Sequence, residues 1–503
     1  MPSGPTRPAS HLILTVGFPG RYPCRVTPTP VDASYRALLA VPQLPRVLLG
    51  MQLARIGQTM IGVAVVLFAL QVYGSPEIAG IVTFVWIFPG LLVSPIAGAL
   101  LDRHGRATLI VIDYLVTLAA LALIGALALA GSLPPWLLVL IAFLASFTGP
   151  LSNTGLRSLL PMIVPSHLWE RVNAVDSNGY VIATIIGPPV AAALVQIIGG
   201  PEAIIAIGFL YGVAALVLVR IHDPIGHVAT TGRLLRDAWD GVVYTWNNRT
   251  LRGLGLSLSV LNLAGGMMTI VIPLIVLERI GASESMVGIM FMLQGVGGMI
   301  TAFLFGRMDT RGREKSLYAW PMVGMAFSLF LLLPDAGLLP VALCMVAGGL
   351  LNGPLDIGMF TVRQRRTDPA WMGRAFAVSM SLNFAGFPIG ASISGTVAAV
   401  SIDAAVVIGI VASFIGAGLA FLLVPARDDA AEAITAAALA AGATASPSAA
   451  GSADGSIAGD TVWPEAVGSG AAGAVVLQHL HEERAPAADE ESRPDEPELA
   501  TGA

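Results

Sequence analysis

The sequence predicts an all-α integral membrane protein with twelve transmembrane helices in two six-helix pseudo-repeats. Composition is the first reason. Of 503 residues, 55% are hydrophobic and 12% charged, where an ordinary soluble domain carries about 25% charge, and the mean hydropathy is +0.77. Length of apolar run is the second, because a span needs about twenty such residues and twelve runs satisfy this. The third is repetition. The charged turn DRHGR, Asp102 to Arg106, returns as DTRGR, Asp309 to Arg313, and LRSLLPMIVPSHLWERVNAV from Leu156 returns more loosely as VRQRRTDPAWMGRAFAV from Val362. Both spacings are about two hundred residues, as parallel six-helix repeats require. Two halves facing each other across a central cavity follow.

Residues 1–44 are rich in proline and arginine. The apolar piece His11 to Phe18 is too short for a signal-peptide core and meets Pro19-Gly20 in place of a cleavage site. The segment is expected to be a disordered cytoplasmic leader, or untranslated if the chain starts near Val26 or Val31. The first half, 45–221, holds the runs Val47 to Tyr73, Glu77 to Leu101, Ala107 to Leu129, Trp136 to Leu160, Val172 to Ile198 and Ala203 to Ile221. Between the second and third, Gly98, Asp102, Arg103, Gly105 and Arg106 stand in a G-x3-D-R-x-G-R spacing. A tight turn needs glycine, two arginines hold it on an anionic leaflet, and Asp102 at a helix end can meet the positive end of another helix.

The connection 222–250 separates the halves. Its LLRDAWDGVVYTW places Leu234, Leu235, Trp239, Val242 and Val243 near one face, with Arg233, Arg236, Asp237 and Asp240 elsewhere. That predicts an amphipathic helix on the inner membrane surface, serving as a spacer between two bundles. The second half, 251–424, holds Leu251 to Leu277, Ser285 to Phe305, Leu317 to Leu333, Leu338 to Phe360, Ala375 to Val400 and Ala404 to Leu423. Residues 425–503 turn to Ala, Gly, Ser and acidic residues, which cannot bury enough surface to fold.

Charge sets the expected orientation. Arginine and lysine fall in alternate loops by roughly seventeen to one, the exception being Arg279, so both termini are expected in the cytoplasm. Glu77, Glu202, Glu278, Glu284, Asp335 and Asp403 lie in or beside the other loops. The net charge of −5 arises in the tail. Cys24 and Cys344 are the only cysteines, the seven histidines are scattered, and no GxxxxGK[ST] phosphate loop occurs. No metal, cofactor or nucleotide site is expected, nor an enzymatic activity.

The DRHGR turn between two spans resembles the loop between helices two and three of the major facilitator superfamily. Further stretches are similar to its enterobactin-exporter and macrolide-efflux branch. Asp113 stands where that branch often has Asp-Leu-Leu-Arg-Ala, although DYLVT here lacks the arginine. Gly149 to Val175 resembles its proline-rich fourth loop, and Arg363 to Ser379, with Gly373 and Arg374, its tenth. LLRDAWDGVVYTWNNRTLRGL is similar to its central loop, and the likeness covers about residues 35–424. Gly187-Pro188-Pro189 resembles the glycine-proline motif of superfamily antiporters, with Ala191 to Ala193 replacing the next glycines. An ordinary packing site would carry the same residues. The resemblance implies a secondary transporter, with proton-coupled export of a siderophore, macrolide or other amphipathic drug as the first reading. The alternatives are an uptake permease on the same fold and a transporter-derived sensor or scaffold.

Charges inside spans are costly, and each is therefore a candidate for function. Arg55 lies about 14 Å into the first run, at 1.5 Å per residue, with Gln58 and Thr59 on its face. Asn262, Gln294 and Asn383 reach similar depth. These six are the expected polar part of a mostly apolar substrate cavity, in which Arg55 either attracts an anionic or carbonyl-rich substrate or sits in a fixed pair. Asp356, with Asn352 one turn away, is the first candidate proton carrier. Asp113 and Asp176 are rivals, expected to pair with Arg103, Arg106, Arg171 or Arg374. Asp102 is expected to face helix eleven near Gly373, and Asp309, beside Arg311, Gly312 and Arg313, to face helix five near Asn173. The expected partners are a small-molecule substrate, protons and the lipid bilayer, without nucleic acid, for a multi-pass monomer in the cell membrane.

Overall fold

A computed structural model describes residues 34–221, 234–305, 313–335, 337–368 and 371–425. No strand occurs among them. Twelve helices are long and apolar enough to cross a membrane: Leu44–Tyr73, Pro76–Ser94, Arg106–Leu129, Pro135–Ile163, Arg171–Ile198 and Gly200–Leu218 in the first half. Arg249–Arg279, Glu284–Phe305, Glu314–Leu332, Leu338–Arg365, Ala375–Ala398 and Ile402–Leu423 follow in the second. They are called spans one to twelve.

The helix ends follow from local chemistry. Ser75, Asn248 and Ser401 each accept a backbone N–H with the side chain at a helix start, as short polar residues do best. Gly105 ends the helix Pro76–His104 and begins the next at φ +89°, a conformation that costs a side-chain-bearing residue energy. Span four is two helices, Pro135–Ser146 and Gly149–Ile163. Pro150 offers no backbone N–H to the turn before it.

Three expectations are corrected. Part of the supposed leader is ordered: Ser34 caps the helix Tyr35–Leu39, and Leu38 is fully buried. Residues 1–33 lie outside the described residues, as does the tail from 426. Span ten runs to Arg365, beyond the expected end at Phe360, so Arg363 is inside the helix and fully buried. A long basic side chain close to a helix end reads from sequence as a loop charge. Arg157, counted from sequence among the loop arginines although the expected run Trp136 to Leu160 already held it, is likewise inside span four.

The packing repeats with a shift of six. Span one lies against five and six, and span seven against eleven and twelve; three packs on six, and nine on twelve; two packs on four, and eight on ten. The halves meet through spans two and eleven and through five and eight, themselves related by the same shift. Gly80 touches Gly395. A Cβ on Gly288 would come 2.6 Å from Pro189 Cα, so only glycine admits that approach. The Ser285 N–H donates to Gln196 Oε1 at 3.1 Å. These contacts lie at the end opposite both chain termini. On that same face Arg279 is held by Asp403 at 2.5 Å and Asp335 at 3.2 Å.

Candidate functional site

Two polar clusters are built into the spans, one in each half. In the first, a cavity of about 170 Å³ lies among spans one to six. Arg55 and Gln58 of span one and Asp113 of span three line it. Arg55 is 5% exposed, and its Nη2 donates to Asp176 Oδ1 at 2.5 Å while Nη1 donates to the Asp176 carbonyl at 2.8 Å. Its guanidinium lies 3.8 Å from the centre of the Tyr180 ring. Of the two readings, the fixed pair describes this arrangement. Asp176 thus meets a cation from span one, not the arginines expected for it. Two residues that share no sequence pattern come together because spans one and five pack side by side.

Asp113 differs from its expectation too. It is 3% exposed, and its Oδ1 has no hydrogen-bond partner. Arg106, expected as a partner, sends Nε to Ser158 and Nη1 to the Met162 sulfur. Ser146, Thr148 and Ser152 of span four donate their hydroxyls to the carbonyls of Phe143, Ala145 and Gly149. Ser152 and Thr148 also lie within hydrogen-bond reach of the Asp113 carboxyl. Thr59 is turned away and donates to the Ala183 and Ile56 carbonyls.

The second cluster lies on spans seven, ten and eleven. Asn262 Nδ2 donates to Asn383 Oδ1 at 2.7 Å and to its carbonyl at 3.0 Å. Asn383 Nδ2 in turn meets the Met359 sulfur. Neither asparagine lines the Arg55 cavity, nor does Gln294, which is exposed on span eight. The expected single set of six is therefore split, because depth along a helix does not reveal the direction a side chain faces. Asp356 is half-buried and accepts from Asn352 at 2.8 Å.

Arg363 was missed as a site residue. Its Nη1 meets the Met380 sulfur at 2.5 Å, and its guanidinium lies 5.2 Å from the Phe376 ring centre. Nε and Nη2 have no partner. Arg363 stands seven residues after Asp356. That is about 20° short of two turns and about 10.5 Å along the axis, so the two share a face. Long side chains on a helix lean toward its amino end, which sends the arginine back toward the carboxylate. The one available sequence signal was this spacing of seven.

Around the junction, Gly187 is packed on Thr59, while Pro188 and Pro189 are packed on Gly288 of the other half. The helical backbones of Gly98, Asp102, Arg103, Gly373 and Arg374 are placed, but Asp309, Arg311 and Gly312 lie outside the described residues. Near the terminal end the helix Leu234–Asn247 is fastened to the second half. Tyr244 stacks on Trp371 with ring centres 4.9 Å apart and accepts from the Asp368 N–H, and Asn248 donates to the Arg366 carbonyl. Trp239 and Trp246 on that helix are exposed. Among the described residues no three His, Cys, Asp or Glu side chains converge as metal ligands.

Comparison with known proteins agrees with this architecture. The profile of the Major Facilitator Superfamily matches residues 47–256 and 254–477. An MFS-type transporter, y4rN, of Sinorhizobium fredii is 37% identical over 78% of this chain and 97% of its own length. Macrolide efflux protein A of Streptococcus pyogenes is 23% identical over 69% of this chain and 86% of its own. The multidrug efflux pump Tap of Mycobacterium tuberculosis is 26% identical over 66% and 82%. Among solved structures, the nucleoside transporter NupG superposes with a TM-score of 0.60 at 13% identity, covering 75% of this chain and 98% of that one. An inward-facing bacterial homologue of ferroportin gives 0.57 at 17%, over 75% and 98%. The chain, with its twelve spans in two matching halves, belongs to the Major Facilitator Superfamily and is a multi-pass membrane transporter.

Proposed function

We propose that the protein is a proton-coupled exporter of small amphipathic compounds, working by alternating access in the cell membrane with both termini in the cytoplasm. The observation that carries the coupling is Asp356 on one face of span ten with Arg363, a buried guanidinium with two unpartnered nitrogens. Leaving one partner of a buried pair alone costs about 3–5 kcal/mol, so an acceptor for Arg363 is worth much. With a proton on Asp356, the carboxyl is neutral and held by Asn352. When the proton leaves, its charge is answered by Arg363 two turns on. Proton occupancy thereby changes what span ten must satisfy, and span ten packs directly on span eight at the junction of the halves.

Rocking of the halves supplies the alternation. The junction opposite the termini closes through Gly288 on Pro188 and Pro189. Export is supported by relatives named as efflux proteins, and a cytoplasmic placement of the termini by the bias of arginine toward their side. The test is transport in proteoliposomes under an imposed pH gradient, with macrolides, siderophores and fluorescent dyes as substrates. Asp356→Asn is expected to abolish gradient-driven movement while equilibrium binding persists. Undiminished gradient-driven movement in that variant overturns the assignment.

A further inference from the structure

The helix Leu234–Asn247 carries more pattern than a spacer needs. At about 100° per residue, its described side chains fall into three arcs. Gly241 and Thr245 are buried and Tyr244 is half-buried on the arc that faces the protein, where the helix packs on spans two, seven and eleven. Trp239, Val242, Val243 and Trp246 form a second arc about 100° wide, and all four are exposed, Trp239 by 65%. Arg236, Asp240 and Asn247 hold the third. A helix between protein and water shows two arcs; one that also touches lipid shows three. The level of the second arc is fixed by span seven, which Asn248 caps directly after this helix. That span has 31 residues, about 46 Å at 1.5 Å each, against a hydrocarbon core of about 30 Å. Its ends therefore reach the headgroup layers, and Trp246 stands just before its first residue, Arg249. Indole rings favour that level. Three arginines flank the stripe. Arg236 stands at its water edge, Arg249 is exposed, and Arg252 Nη1 donates to the Trp246 carbonyl at 3.2 Å. Among the described residues none of the three is in an ion pair.

We infer that this helix is a binding site for anionic lipid, with Trp239, Val242, Val243 and Trp246 in the acyl boundary of the leaflet on the side of the termini and Arg236, Arg249 and Arg252 on lipid phosphates. A soluble partner would have to cover the stripe at a depth where headgroups already stand. A zwitterionic leaflet accepts the stripe but offers the arginines phosphates that already carry their own cation, whereas an anionic one supplies the missing charge. The helix is fastened to the start of span eleven through Trp371 and leans on span two of the other half. Lipid held there thus bears on how the halves meet at the terminal end. The inference goes beyond the exporter reading and depends neither on the direction of transport nor on Asp356.

The stripe is tested by a nitroxide at Val243→Cys and, separately, at Asn247→Cys, in the full chain with Cys24→Ser and Cys344→Ser, reconstituted in vesicles of phosphatidylcholine and phosphatidylglycerol. Collision with oxygen is expected to exceed collision with a water-soluble nickel chelate several-fold at 243, and the order to reverse at 247. A label at 243 that meets the chelate as readily as the one at 247 places the stripe in water and overturns the site. A label at 243 that meets neither reagent shows cover by protein, a second copy included, and overturns it too. The charge is tested by thermal unfolding of the full chain in detergent with either lipid added. Phosphatidylglycerol is expected to raise the midpoint by several degrees more than phosphatidylcholine. Arg236→Gln, Arg249→Gln and Arg252→Gln together should remove that difference, and Arg236→Lys, Arg249→Lys and Arg252→Lys together should keep most of it, with midpoints in the absence of lipid confirming that both variants fold. Equal midpoints with the two lipids in the parent overturn the assignment to anionic lipid, as does an unchanged difference in a folded glutamine variant. Neither readout involves transport, so loss of the proton-coupled reading at Asp356 leaves both standing.

Discussion

Arg55 and Asp176 hold each other at 2.5 Å in surroundings where neither meets bulk water freely. Removing one member leaves the other charged and alone, which is the expensive case, while removing both is far cheaper. Arg55→Ala and Asp176→Ala are each expected to destabilise by about 3–5 kcal/mol. The double variant should lose less than the sum, and thermal unfolding in detergent checks the ordering. Arg363 makes the opposite case. Because two of its nitrogens are unsatisfied, Arg363→Met is expected to match or exceed the parent's unfolding midpoint and to lose gradient-driven transport. A fall in midpoint with normal transport would contradict both halves of that expectation. At this scale the sequence showed which charges lie deep, since apolar runs betray any charge within them. It did not show partners. Arg55 meets Asp176 across 121 positions of chain, and nothing local to either residue records that.

Span four and span ten show what an element adds. Pro150 could be read as a break, and it is one. The extent of span ten could not, because Arg363 and Arg365 mimic a loop while their stems continue the helix. The junction is governed by size, with Gly288 against Pro189 and Gly80 against Gly395. Gly288→Leu inserts bulk where backbone atoms already touch and is expected to cost about 1–3 kcal/mol. Because that contact joins the two halves, transport should fall several-fold while substrate binding is retained. Uptake of substrate into vesicles and calorimetric binding, measured together, separate the two effects. The connecting helix was legible from its apolar stripe, and its length agrees within a few residues. Its attachment through Tyr244 on Trp371 was not, for stacking partners carry no periodic signal.

Across the whole molecule, the repeat that was legible in DRHGR and DTRGR reappears as a packing scheme in which each span's neighbours return six spans later. Such a scheme permits the halves to move as units. Gln196→Cys with Ser285→Cys, at positions joined by a hydrogen bond across the halves, is expected to cross-link under oxidant and to arrest transport until reduced. Cross-linking without arrest would argue that these halves need not part. Composition gave the membrane class directly, because only a chain that lives in lipid can be so poor in charge. The division of polar residues into two half-specific clusters was hidden, since it depends on helix rotation, which apolar runs leave free.

The face opposite the termini presents Glu77, Glu202, Glu278, Glu284, Asp335 and Asp403 against Arg279, among the described residues. That arginine is already shared by two of these carboxylates. The surface must therefore carry a negative potential that gathers counter-ions, hydronium among them, within a Debye length of about 8 Å at physiological salt. The acidity felt at that mouth is then a local quantity, greater than that of the surrounding medium and relaxed by added electrolyte. Ionic strength thus becomes a second axis of control over any proton taken up there, set by residues that touch neither cluster.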